Sequence, residues 1–138
     1  MSSGTSLPIL TEATQAQRTV VVLADDLIWA TRLSDAITTA GARPVRLRRL
    51  EDLAAALAPG GDGTDGRGLA IIDLTARAYD GIEAIGVATA TGARVVAVGQ
   101  HDDISLRKAA IAAGAERVYT YRALFEDGPR TLAAWLAK

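Results

Sequence analysis

The chain has no cysteine, one histidine and only six aromatic residues, of which one is phenylalanine. Without cysteine there is no disulfide and no thiolate metal site. A lone histidine, His101, makes a transition-metal centre built on imidazoles a poor fit, and in a loop it reads as a solvated side chain. Charge of one sign is also lacking. Fifteen basic residues face sixteen acidic ones, for a net charge of −1. That balance argues against general electrostatic affinity for nucleic acid or for an acidic membrane surface. No apolar run approaches the length needed to cross a bilayer. The first residues, MSSGTSLPILTEATQAQRT, lack a basic start followed by a long apolar stretch, so they do not read as a secretory signal. The expectation is a cytoplasmic protein.

What is present is apolar residue in quantity, 49% of 138 residues, enough for one domain with a sizeable core. Residues 1–17, rich in serine and threonine, read as a flexible tail. From Arg18 to Lys138 a repeating order appears. Thr19–Ala24 and Leu69–Leu74 are short apolar runs of the kind buried on both faces of a sheet, and Arg94–Val98 is a further strand. Pro44–Leu50 alternates and predicts a half-exposed strand, and Arg117–Tyr121 a fifth. Between them, helices are predicted over Leu27–Ala40, Glu51–Leu57, Asp80–Ala90, Asp103–Ala113 and Pro129–Ala137. Ile28, Leu33, Ala36 and Ile37 mark the buried face of the first helix. Gly41, Gly92 and Gly114 stand as helix stops. Pro129 suits a first helical turn. Pro59–Arg67, glycine-rich, reads as a loop.

Five strands alternating with helices require crossover connections, hence a doubly wound parallel sheet in a three-layer α/β/α arrangement. In such sheets ligands sit at the carboxyl ends of the strands. The residues there are Asp25 and Asp26 after the first strand, Asp73 ending the third, Gly99 after the fourth, and Tyr121 and Arg122 after the fifth. Clustered carboxylates are commonly offset by a hard cation such as Mg²⁺. An aspartate at a strand end is equally a helix N-cap. Both readings of Asp25 and Asp26 stand at this point.

Leu69–Glu83, LAIIDLTARAYDGIE, resembles the third strand and following loop of response-regulator receiver domains, and the likeness extends over about Arg18–Ala137. The resemblance implies a flavodoxin-like fold with strand order 2-1-3-4-5, like that of the chemotaxis regulator. It places Asp73 at the phosphoacceptor position and Asp80-Gly81 at the opening of the third helix. Asp25 and Asp26 fall on or beside the family's acidic pair, with Ala24/Asp25 and Asp25/Asp26 both admissible. The backbone carbonyl of Thr75 falls on a metal-ligand position, so Mg²⁺ is the implied cofactor. Three positions depart. Gly99 replaces the hydroxyl residue, Tyr121 the lysine, and Val118 the switching aromatic. Arg122 is the candidate substitute for the missing charge. The implied function is two-component signalling by a degenerate receiver that docks to proteins rather than acting as an enzyme. The implied partner is a histidine kinase or a downstream effector, with a homodimer face within 103–138. A conventional receiver phosphorylated on Asp73 and a small-molecule-binding flavodoxin-like domain are the alternatives.

Other features have structural readings. Arg43, Arg46, Arg48 and Arg49 read as charge protecting an edge strand rather than as a nucleic-acid patch. Trp29 and Trp135 read as packing residues. Ser34 and Ser105 lack the neighbours of a nucleophilic triad.

Overall fold

The computed structural model describes residues 18–58, 67–100 and 102–138. The expected tail, the glycine-rich loop up to residue 66 and His101 lie outside the described residues. The elements are β1 (Thr19–Leu23), α1 (Leu27–Thr39), β2 (Arg43–Leu47), a 3₁₀ turn (Leu50–Asp52) running into α2 (Leu53–Ala56), β3 (Leu69–Asp73), α3 (Gly81–Ala90), β4 (Arg94–Gly99), α4 (Ile104–Ala113), β5 (Arg117–Thr120) and α5 (Tyr121–Leu136). All strand pairs are parallel, in the order β2-β1-β3-β4-β5. This is the doubly wound, flavodoxin-like sheet expected from the sequence.

Alternation along the strands sends side chains to two separate cores. Val21, Leu23, Ala70, Ile72, Val95 and Ala97 pack beneath α2, α3 and α4. Val20, Val22, Leu69, Ile71, Val96 and Val98 pack beneath α1 and α5. With helices on both faces, the three central strands have no wet side, which is why they read as unbroken apolar runs. β2 lies at an edge. Val45 and Leu47 turn inward while Arg43 and Arg46 face water. Arg46 reaches Thr31, and Arg49 pairs with Glu51 at 3.4 Å. The three predicted glycine stops all have positive φ.

Four boundaries or faces differ from expectation. Ile28 is 65% exposed, and Ala30 and Ser34 join the expected Leu33, Ala36 and Ile37 on the buried face of α1. β2 stops at Leu47, because Leu50 already begins the turn into α2. β5 stops at Thr120, whose hydroxyl caps the next helix by accepting the Ala123 N–H. α5 therefore begins at Tyr121, eight residues before Pro129. Pro129 falls just after a break at Asp127 (φ −150°, ψ 39°), so it does open a helical turn, but the second one within α5.

The described residues contain no helix long and apolar enough to cross a membrane.

Candidate functional site

Pairing of β1 and β3 brings Asp25 and Asp73 to one edge of the sheet. Asp73 is the last residue of β3 and is 1% exposed. A carboxylate so buried needs donors. Its Oδ1 accepts the amide N–H of Thr75 at 3.0 Å and the Thr75 hydroxyl at 3.0 Å. The phenol of Tyr121 donates to the same oxygen, which places the Tyr121 and Thr75 hydroxyl oxygens side by side. All three donors are neutral.

Tyr121 holds this place because α5 starts with it. Its ring lies against Trp29 of α1, with centroids 4.4 Å apart and planes tilted by 42°. Burial first, and then the bond to Asp73, push its ionisation well above the ordinary tyrosine range, so the phenol keeps its proton and remains a donor. Arg122, one helical step further on, turns away from the site. Its side chain is 85% exposed and pairs with Glu126 at 3.5 Å. The expected rescue of the missing charge by Arg122 is therefore corrected. Adjacent residues on a helix point about 100° apart, so Tyr121 and Arg122 cannot both face Asp73.

The two upstream acids have separate tasks. Asp25 Oδ2 accepts the N–H groups of Arg77 and Ala78, each at 2.9 Å, and so pins the loop between β3 and α3. Asp26 caps α1 by accepting the Trp29 N–H at 3.0 Å. Asp80 caps α3 in the same way through Ile82 and Glu83. A crevice of about 560 Å³ opens beside these groups, lined by Asp25, Asp26, Trp29, Thr75, Arg77, Gln100 and Tyr121. Asp73 is not part of its lining; Thr75 and Tyr121 are.

Among the described residues, no three histidine or carboxylate side chains gather where they could hold a metal ion. Asp73 Oδ1 is occupied by three protons, and one Asp25 oxygen by two. Thr75 enters the site through its amide and hydroxyl. The remaining predicted positions lie where the strands place them. Gly99 ends β4 opposite Thr120, and its missing side chain leaves Leu74 as the nearest neighbour. Val118 is 5% exposed and packs in the core beneath α2, α3 and α4.

Two features escaped the sequence reading. Tyr79, buried in the loop after β3, directs its hydroxyl at the carbonyl oxygens of Leu23 and Asp73, both at 2.8 Å. It thus ties together the carboxyl ends of β1 and β3. The signal available was a single aromatic between Asp73 and Asp80. At the opposite end of the sheet, buried Arg94 forms a two-pronged pair with Glu116 (2.8 and 3.0 Å) and bonds the Trp135 carbonyl at 3.3 Å. A charge opening an otherwise apolar strand was the clue there.

The fold defines a class, the open parallel α/β sheets that carry their chemistry at the carboxyl edge. More narrowly, the fold is that of response-regulator receiver domains. A receiver domain from Rhodospirillum rubrum is 20% identical over 86% of this chain and 93% of its own, with a TM-score of 0.68. A two-component response regulator from Clostridium difficile is 12% identical, covering 88% of this chain and 98% of its own, with a TM-score of 0.71. A response regulator from Thermotoga maritima is 12% identical over 88% and 99%, with a TM-score of 0.69. No protein-family model and no curated protein matches the chain.

Proposed function

We propose that this chain is a receiver-like signalling domain of the two-component type that works by docking to a protein partner, with Asp73 withheld from phosphoryl transfer. The observation that carries the reading is the phenol of Tyr121 seated on the Asp73 carboxylate. An incoming phosphoryl group would meet that phenol beside the carboxylate. Among the described residues it would then find neither an ammonium group beside Asp73 nor a hydroxyl at Gly99 to stabilise it. The domain would act as a binding surface and not as an enzyme. Its partner is a histidine kinase or an effector of the same pathway in the cytoplasm, contacted through the face within 103–138. Ile104 and Ile111 of α4 and Phe125 of α5 expose apolar surface on that stretch.

Incubation with a small phosphodonor and Mg²⁺ tests this. The expected result is no stable acylphosphate on Asp73, measured by intact-mass spectrometry. Stoichiometric acylphosphate that disappears in Asp73→Asn would establish the conventional receiver instead.

A further inference from the structure

Helix α5 is two helical pieces joined at Asp127, the one residue inside it with non-helical angles. The break has a local cause. Pro129 offers no N–H, and its ring crowds the carbonyl four residues back, that of Phe125. The piece after the break is fixed to the body. Leu132 and Trp135 are fully or nearly fully buried. Gly128 lies so close to α1 that a Cβ there would stand 3.3 Å from the Cβ of Ala36.

The piece before the break, Tyr121–Glu126, buries one side chain, Leu124, where the piece after it buries Gly128, Leu132 and Trp135. The Tyr121 ring packs on Trp29, and its phenol donates to Asp73. Arg122, Phe125 and Glu126 face water. The Phe125 ring, 64% exposed, lies under the Arg32 guanidinium at 4.6 Å, and Arg32 also lies 5.7 Å from the Trp29 ring.

We propose that Tyr121–Glu126 is a hinged arm whose seat is set by the Tyr121–Asp73 bond, so that anything drawing Asp73 away from Tyr121 reshapes the surface around Phe125. The inference rests on the reading that Tyr121 occupies Asp73, and it adds how that contact is regulated and read out. The hinge lies at Asp127–Pro129. The moving surface is Phe125 with its Arg32 contact, on the outer side of α5. One end of the arm touches the buried carboxylate and the other is free to meet a partner.

Amide hydrogen exchange on the intact chain tests it, comparing wild type with Tyr121→Phe, which keeps the ring on Trp29, and with Asp73→Ala, which removes the acceptor. Losing one such bond should speed exchange at residues 123–126 about tenfold, while residues 130–136 stay within about twofold of wild type. Adding Pro129→Ala to Tyr121→Phe should let the two pieces exchange as one. Acceleration of both pieces by the same factor in the single variants, or no acceleration of the arm in either, would overturn the hinge. Acylphosphate formation on the wild-type protein is a separate measurement, so failure of the arm and failure of the proposed function are told apart.

Discussion

Replacing Tyr79 by phenylalanine removes one oxygen and leaves the ring volume nearly unchanged, so it isolates a single hydrogen-bonding group. In the native protein that hydroxyl lies 2.8 Å from both the Leu23 and the Asp73 carbonyl oxygens, in a residue that is 8% exposed. Water cannot easily replace it. Two carbonyl oxygens at the strand ends would lose a donor, which costs about 1–3 kcal/mol. For a domain of this size each kcal/mol moves Tm by about 3–5 °C, so Tyr79→Phe should lower Tm by roughly 3–15 °C. The denaturant m-value should stay unchanged, because the same surface is buried. Burial first, and then the nearby Asp73 charge, drive the ionisation of this phenol far above the ordinary tyrosine range. The loss should therefore be the same at every pH from about 5 to 9. Far-UV circular dichroism melts and urea titrations over that range are the assay. A loss below about 0.5 kcal/mol would mean that the two strand ends do not depend on this hydroxyl, and the account of how Asp73 is positioned would fail.

The same substitution should have opposite signs at two glycines. Gly99→Ala adds a methyl at ordinary contact distance from Leu74 (3.4 Å) on a strand, and should be neutral or stabilise by up to about 1 kcal/mol. Gly114→Ala must hold φ near +120° and brings a Cβ to 2.7 Å from Thr89 Cγ2, so a loss of at least about 1–2 kcal/mol in urea unfolding is expected, partly relieved by Thr89→Ala. Equal effects at the two sites would refute the backbone argument. The Arg94 hydrogen bonds hold the Glu116 carboxyl below its usual value of 4.5. Because its folded-state value is depressed, its contribution is present above about pH 4.5 and is lost as pH falls through the lower folded value. The stability difference between wild type and Glu116→Gln should accordingly be constant from neutral pH down to about 5 and shrink below that. A difference that grew on acidification would contradict the assigned pairing.

The Tyr121 contact shows how the kind of donor shapes the environment of a buried carboxylate. A lysine at this position would offer a charge-assisted bond to the carboxylate and to whatever arrives there. A phenol supplies a neutral donor with a bulky ring attached, and the ring packs against Trp29. One oxygen of the carboxylate is satisfied by neutral donors alone.

Much of the architecture was written in local sequence. Strand and helix alternation follows from β-branched runs separated by amphipathic stretches. Parallel pairing follows from the long connections, and the helix ends at Gly41, Gly92 and Gly114 follow from backbone freedom. Asp73 at a strand terminus followed from the same pattern, as did the edge position of the arginine-bearing β2. These features depend on neighbours in the chain. The functional arrangement depended on residues far apart in it. Whether β5 ends at Thr120 or Tyr121 turns on one capping hydroxyl, and that one-residue choice decides which side chain, Tyr121 or Arg122, meets Asp73. Asp25 bonds amides 52 and 53 residues away, Tyr79 a carbonyl 56 residues away, and Arg94 a carboxylate 22 residues away. No periodicity encodes such pairs, because they exist only once the strand ends are side by side. The sequence alone determined the frame and the set of groups along its edge. Tertiary structure decided which protons those groups share.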